Sequence, residues 1–198
     1  MTLVLNEEQQ MLKAAAQDFL QSKAPVSHLR ELRDGGTDAG YSPKLWQDIA
    51  DMGWAAILVP EEHEGLGYGY LGLGIILEQC GRTLTPSPLL ASALTGVTAL
   101  LRAGSPEQRA SILPAVASGK HLLALAVDDT AYHRPSECLT RVRKTKNGFS
   151  LSGTKTAIVD GGIADTLIVS AQTQDSDDIS LFLVSRSAKG VGIESGQA

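Results

Sequence analysis

The segment GYGYLG at residues 67–72 fits G-x-G-x-x-G, the spacing of the turn that brings backbone close to a pyrophosphate in dinucleotide-binding folds. That chemistry needs a strand before the glycines, a helix after them, and an acidic side chain about 20 residues on for the ribose. WAAILVP (54–60) and LGLGIILEQCGR (71–82) are candidates for the first two, but PSPLLASALTGVTALL (86–101) contains no acid. The competing reading gives the glycines a conformational role. Gly65, Gly67 and Gly69 let a surface loop take positive φ between packed helices, where a Cβ is unwelcome.

Other chemical patterns are weaker. SGTK (152–155) matches the S-x-x-K of penicillin-recognising enzymes, but S-D-N and K-T-G are missing and the residues fall in expected strand, so Ser152 is not read as a nucleophile. EEHE (61–64) lacks the H-E-x-x-H spacing that sets two metal ligands on one helix face and reads as a solvated acidic turn. His28, His63, His121 and His133 are too scattered for spacing to nominate a base. Cys80 and Cys138 stand alone and read as reduced, buried thiols, so no metal site is assigned. The net charge of −5 argues against bulk phosphate neutralisation, and nucleic acid is not an expected partner. No apolar run is long enough to span a bilayer, and MTLVLNEEQQ lacks the basic start of a targeting peptide, so a cytoplasmic protein is expected.

The elements around these residues change period midway. NEEQQMLKAAAQDFLQSK (6–23) reads as a helix capped by Asn6, with Gln9 completing a capping box and Met11, Leu12, Ala15, Phe19 and Leu20 at helical spacing. Three further helices are expected after Ser42-Pro43, Ser87-Pro88 and Ser105-Pro106, because serine can cap and proline suits the first helical position. Pro114 is expected to kink or end the last. Beyond Gly119, short runs at 122–127, 139–145, 149–154, 166–171 and 179–184 read as strands, with a hairpin at Asn147-Gly148. No helix-length segment separates them, so an antiparallel sheet is expected. The fold class is α+β: an all-helical domain over 1–119, then a partial antiparallel β domain over 120–198. With 43% hydrophobic residues, the chain can bury a core.

GWAAILVPEEHEGLGYGYLGLGIILEQCGR (53–82) resembles the signature stretch of the N-terminal helical domain of acyl-CoA dehydrogenases, in which Gly-Trp, Pro-Glu-Glu and a glycine-rich loop lead into a helix ending in Gly-Arg. GSPEQRASILPAVASGK (104–120) resembles the segment that precedes the family's β domain. NGFSLSGTKTAIVDGGIADTLIVSA (147–171) is similar to its hairpin and flavin-side strand. The segments occur in the family's order, and the glycines take the structural role.

The resemblance implies FAD, an acyl-CoA thioester and α,β-desaturation, in which a carboxylate removes the α proton while the β hydrogen leaves as hydride. It also implies an electron-transfer flavoprotein or similar acceptor and a homo- or hetero-oligomer. The family's C-terminal four-helix domain, with its catalytic glutamate, is not expected within these residues, so no catalytic residue is assigned and FAD is expected to bind weakly or not at all. Main-chain groups of Leu125, Val127, Asp128, Ile158 and Val159 are the expected cofactor contacts. Departures from the family pattern bear on that site. VDDTAYHRPSE (127–137) stands for the usual T-E-P-x-x-G-S-D, with Asp128 and Asp129 in place of Thr-Glu. Ala157 stands where an aromatic packs on the flavin, and Val159 where a hydroxyl bonds it. If the segment is a strand, those two side chains share one face. The chain also resembles divergent bacterial members, some of which pair unlike subunits to desaturate steroid side-chain thioesters. A non-catalytic subunit of the family is the alternative, and a nucleotide-binding module a more distant one.

Overall fold

The computed structural model describes residues 4–35, 40–146, 148–173 and 178–194. Local capping sets the first helix, α1 (Glu7–Lys23): Asn6 accepts from the Gln9 amide at 2.8 Å, and Gln9 accepts from the Asn6 amide at 3.0 Å. Its inward stripe is Leu12, Ala16, Phe19 and Leu20 rather than the expected set, since Met11 and Ala15 face solvent. Phe19 meets Trp54 edge-on, with ring centroids 5.2 Å apart. Helices α2 (Val26–Asp34) and α3 (Pro43–Asp51) follow, the latter capped by Ser42. Residues 54–59 form buried turns, not a strand.

After α4 (Tyr70–Thr83) the chain enters a π-helix (Leu89–Gly96) that continues as α5 (Val97–Ala103). Ser87 does not cap it; the turn begins at Pro88, whose carbonyl accepts from the Ser92 amide at 2.8 Å. Helix α6 (Pro106–Ala117) carries a Ser105–Gln108 capping box. It runs past Pro114 to Ala117, so the proline does not end it. Near a helix end, its ring forfeits a single intrahelical bond.

The strands are β1 (Leu123–Ala126), β2 (Arg141–Thr145), β3 (Gly148–Ser152), β4 (Thr166–Thr173) and β5 (Ile179–Ser185). Asn147 lies outside the described residues, but Thr145 pairs with Gly148 in an antiparallel β2–β3 hairpin. β4 is central. β5 runs antiparallel along one edge of it, while β1 and β2 both run parallel to it. The α+β class holds, but the expectation of an antiparallel sheet is corrected: the sheet is mixed. A hairpin, rather than a helix, makes the long crossover from β1 to β4. The helices pack on one side of this sheet. Gly96 of the π-helix lies so close to β1 that an added Cβ would sit 2.4 Å from that of Leu123. One core runs from Ala16 and Leu20 through Trp54 and Leu89 to Leu123 and Ile168.

Candidate functional site

The glycine-rich loop is closed to phosphate. Its amides turn inward, from Leu66 to the Ala56 carbonyl at 3.0 Å, Gly67 to Val59 at 2.9 Å and Tyr68 to Ile57 at 2.9 Å. A phosphate cradle needs those donors free. Gly67 (φ +56°) and Gly69 (φ +93°) do take positive φ. Gly65 does not; glycine is required there because a Cβ would lie 1.9 Å from the Val59 carbonyl oxygen. Among the described residues, no group of three potential metal-ligating side chains converges, and no helix is long and apolar enough to cross a membrane. Ser152 is exposed at the end of β3, and Glu61–His63 form a 3₁₀ turn in which the glutamates are exposed and His63 is half-buried. Both cysteines are buried free thiols, and burial pushes Cys80 up to about 11.

The expected cofactor contacts gather at the C-terminal end of β1. Leu125 lies half-buried within that strand, and Val127, Asp128 and Asp129 leave it. The segment 153–159 crosses this exit. Thr156 donates its amide to the Asp128 carbonyl at 2.8 Å and its hydroxyl to the Thr130 carbonyl. That contact places Ile158 and Val159 in the segment beside Asp128. Ile158 packs on a second small core with Ala124, Ala126 and Leu167, whereas the Val159 side chain is 54% exposed.

Two expectations about this segment change. It is not a strand: Ala157 (φ +52°) and Asp160 (φ +55°) take left-handed backbone, so alternation of Ala157 and Val159 on one face does not apply. The carbonyls of Val127 and Asp128 are also already occupied, Val127 by Lys155 Nζ at 3.1 Å and Ser170 Oγ at 3.2 Å, and Asp128 by Thr156. What stays free is a set of donors. The amides of Asp128, Ile158 and Val159 meet no acceptor among the described residues. Such groups suit an acceptor-rich ring edge.

The charged centre of this junction was not legible in the sequence. Lys155 Nζ lies 2.7 Å from Asp129 Oδ2 and 2.8 Å from Ser170 Oγ, with the two charged side chains only 6% and 1% exposed. Asp129 also accepts from the Leu139 amide at 3.0 Å and from the Thr140 hydroxyl. Burial pushes the Asp129 carboxyl upward, but the bonds from Lys155, Thr140 and Leu139 outweigh it and hold the group below the ordinary range. Asp128 is also held low, by its bond with His133 against the opposing effect of burial, with the Arg134 amide adding to it. Asp160, with no such donors among the described residues, is pushed up by burial. The only sequence signal for Lys155 was its place in SGTK, just after a strand.

Comparison with known proteins identifies the family. Residues 6–120 match the family described as acyl-CoA dehydrogenase, N-terminal domain, and residues 129–198 match acyl-CoA dehydrogenase, middle domain. The chain is 28% identical to acyl-CoA dehydrogenase FadE27 of Mycobacterium tuberculosis over 193 residues, covering 98% of this chain and 50% of that protein. It is 29% identical to a mitochondrial 2-methylacyl-CoA dehydrogenase of Solanum tuberosum, covering 96% and 47%. The crystal structure of the ChsE4–ChsE5 complex from Mycobacterium tuberculosis superposes with a TM-score of 0.86 at 28% identity, covering 98% of this chain and 51% of that one. The chain therefore spans about half the length of the relatives it matches. A sealed glycine loop, a mixed sheet under a helical layer, and matches running from residue 6 to residue 198 place the chain in the acyl-CoA dehydrogenase family.

Proposed function

We propose that this chain is the helical and middle-domain portion of a flavin-dependent acyl-CoA dehydrogenase that desaturates an acyl-CoA thioester between its α and β carbons. The observation that carries the proposal is the set of amides of Asp128, Ile158 and Val159 at the exit of β1, which have no acceptor among the described residues. When bound there, FAD supplies the acceptor for the hydride that leaves the β carbon. The chain's own part is to bind and orient. The three amides would donate to the ring edge, and the exposed Val159 side chain would give an apolar surface beside them. The main chain of Leu125 and Val127 shapes the strand exit behind. Ala157 and Val159 lack the aromatic ring and hydroxyl of the family pattern, so the affinity rests on backbone donors. No carboxylate in these residues is assigned as the base for the α proton.

This reading carries an acyl-CoA thioester as substrate, an electron-transfer flavoprotein or similar acceptor, an oligomeric assembly and a cytoplasmic setting. A non-catalytic family subunit is the second reading. The missing flavin-contacting side chains at 157 and 159 favour it.

The test is a titration of the purified 198-residue chain with FAD up to millimolar concentration, followed by backbone amide resonances. Weak saturable shifts confined to Asp128, Ile158 and Val159 are expected, with little flavin retained on purification, because a ring held from one side forfeits most of its burial. Shifts centred on Gly65–Gly69, or none, would overturn the site. The same preparation should not turn over acyl-CoA thioesters with an artificial electron acceptor. Turnover would show that a base lies within these residues.

A further inference from the structure

We propose that Lys155 is the positioning residue of the flavin-facing backbone: its buried ammonium fastens segment 153–159 to the exit of β1 and so sets the direction of the Asp128, Ile158 and Val159 amides. The inference rests on the flavin-facing reading above.

An ammonium has three donors and no acceptor function. Here all three are engaged, by the Val127 carbonyl at 3.1 Å, Asp129 Oδ2 at 2.7 Å and Ser170 Oγ at 2.8 Å, and Cys138 Sγ lies 3.8 Å away. Those partners come from the exit of β1, from β4 and from the loop before β2. Thr156 extends the fastening by one residue, with its amide on Asp128 and its hydroxyl on Thr130. Residues 155 and 156 are thus tied to 127–130 in register, and the free amides sit within and just beyond this zipper. Gly153 brings the segment in closely, since a Cβ there would lie 2.4 Å from Thr140 Oγ1.

A buried ion pair is a poor way to add stability. Replacing both members by uncharged groups of similar volume is often neutral or stabilising, whereas removing one strands the other. What such a pair supplies is a fixed geometry. Loss of both charges should therefore spare the fold and loosen the donor array.

The decisive comparison is the 198-residue chain against its Lys155→Met/Asp129→Asn double variant, in which no charge is stranded and Asn can still accept from Thr140. Two readouts are needed: amide hydrogen exchange without ligand, and the FAD titration by amide resonances. The expected result is at least tenfold faster exchange at Thr156 with Ile168 and Val169 unchanged, and at least tenfold weaker FAD-induced shifts at Asp128, Ile158 and Val159. Lys155→Arg, which keeps the charge but not the three-donor geometry, should fall between, and it decides by the same readouts if the double variant does not fold. Unchanged FAD shifts in the variants, or exchange that is unchanged or accelerated uniformly along the chain, would overturn the role of Lys155. Absence of FAD shifts in the wild-type chain would instead remove the site reading itself.

Discussion

Gln79 on α4 is 1% exposed, and neither end of its amide has a partner among the described residues. Its neighbour Glu78 shows the ordinary alternative, facing outward to bond Lys13 and Arg82. A buried amide without bonds forfeits its solvation and gains nothing in return. Gln79→Leu should therefore raise stability by about 1–3 kcal/mol in urea unfolding. A loss of stability would mean that an enclosed water completes the amide. Single residues were legible in the sequence where their partners are local. Asn6, Ser42 and Ser105 cap their helices as their spacing predicts, because each bond closes within three residues. Lys155 and Asp129 were not, since they meet across 26 residues and nothing in their immediate surroundings marks either as buried.

Among the elements, the loop from Pro60 to Gly69 separates two uses of glycine. At Gly69 nothing lies within 4 Å of an added Cβ, and only the positive φ disfavours a side chain. At Gly65 the obstacle is the Val59 carbonyl itself. Gly69→Ala should cost about 1 kcal/mol and leave the loop in place. Gly65→Ala should cost more, by roughly 1–3 kcal/mol of overpacking, and release the inward amides to exchange. Equal melting temperatures for the two variants would contradict this division. All five strands and most of the helices were readable from period and punctuation, but α2 was not. Nor was the pairing of the strands. The sequence shows that 122–127 and 166–171 are strands, but a parallel match between them depends on the path of the chain between. The π-helix escaped for a related reason. Glycine packed on Leu123 at its end is a tertiary constraint on a run whose apolar pattern reads as ordinary helix.

At the scale of the whole molecule, the change of secondary structure near residue 119 is not a break in the core. Leu122, Leu123 and Ile168 belong to the same cluster as Trp46 and Trp54, and the Trp46 indole donates to the Gly119 carbonyl at 2.8 Å. Helices and sheet should therefore unfold together. Tryptophan fluorescence reports on the helical part, because both tryptophans lie there, while exchange of β4 amides reports on the sheet. Coincident transitions in urea are expected, and two separated ones would show independent units. The family and its layering were readable because three segments keep their order along the chain, whereas the shared core depends on side chains far apart in sequence. The parallel β1–β4 pairing also has a consequence for synthesis. β1 packs on the π-helix that precedes it in the chain, yet its strand partner begins at Thr166, roughly forty residues later. At ~5–20 residues per second, the ribosome leaves that edge unpaired for about 2–8 s. A nascent chain stalled in this interval should be the species that chaperones hold, and slowing translation between residues 127 and 166 should lengthen its life.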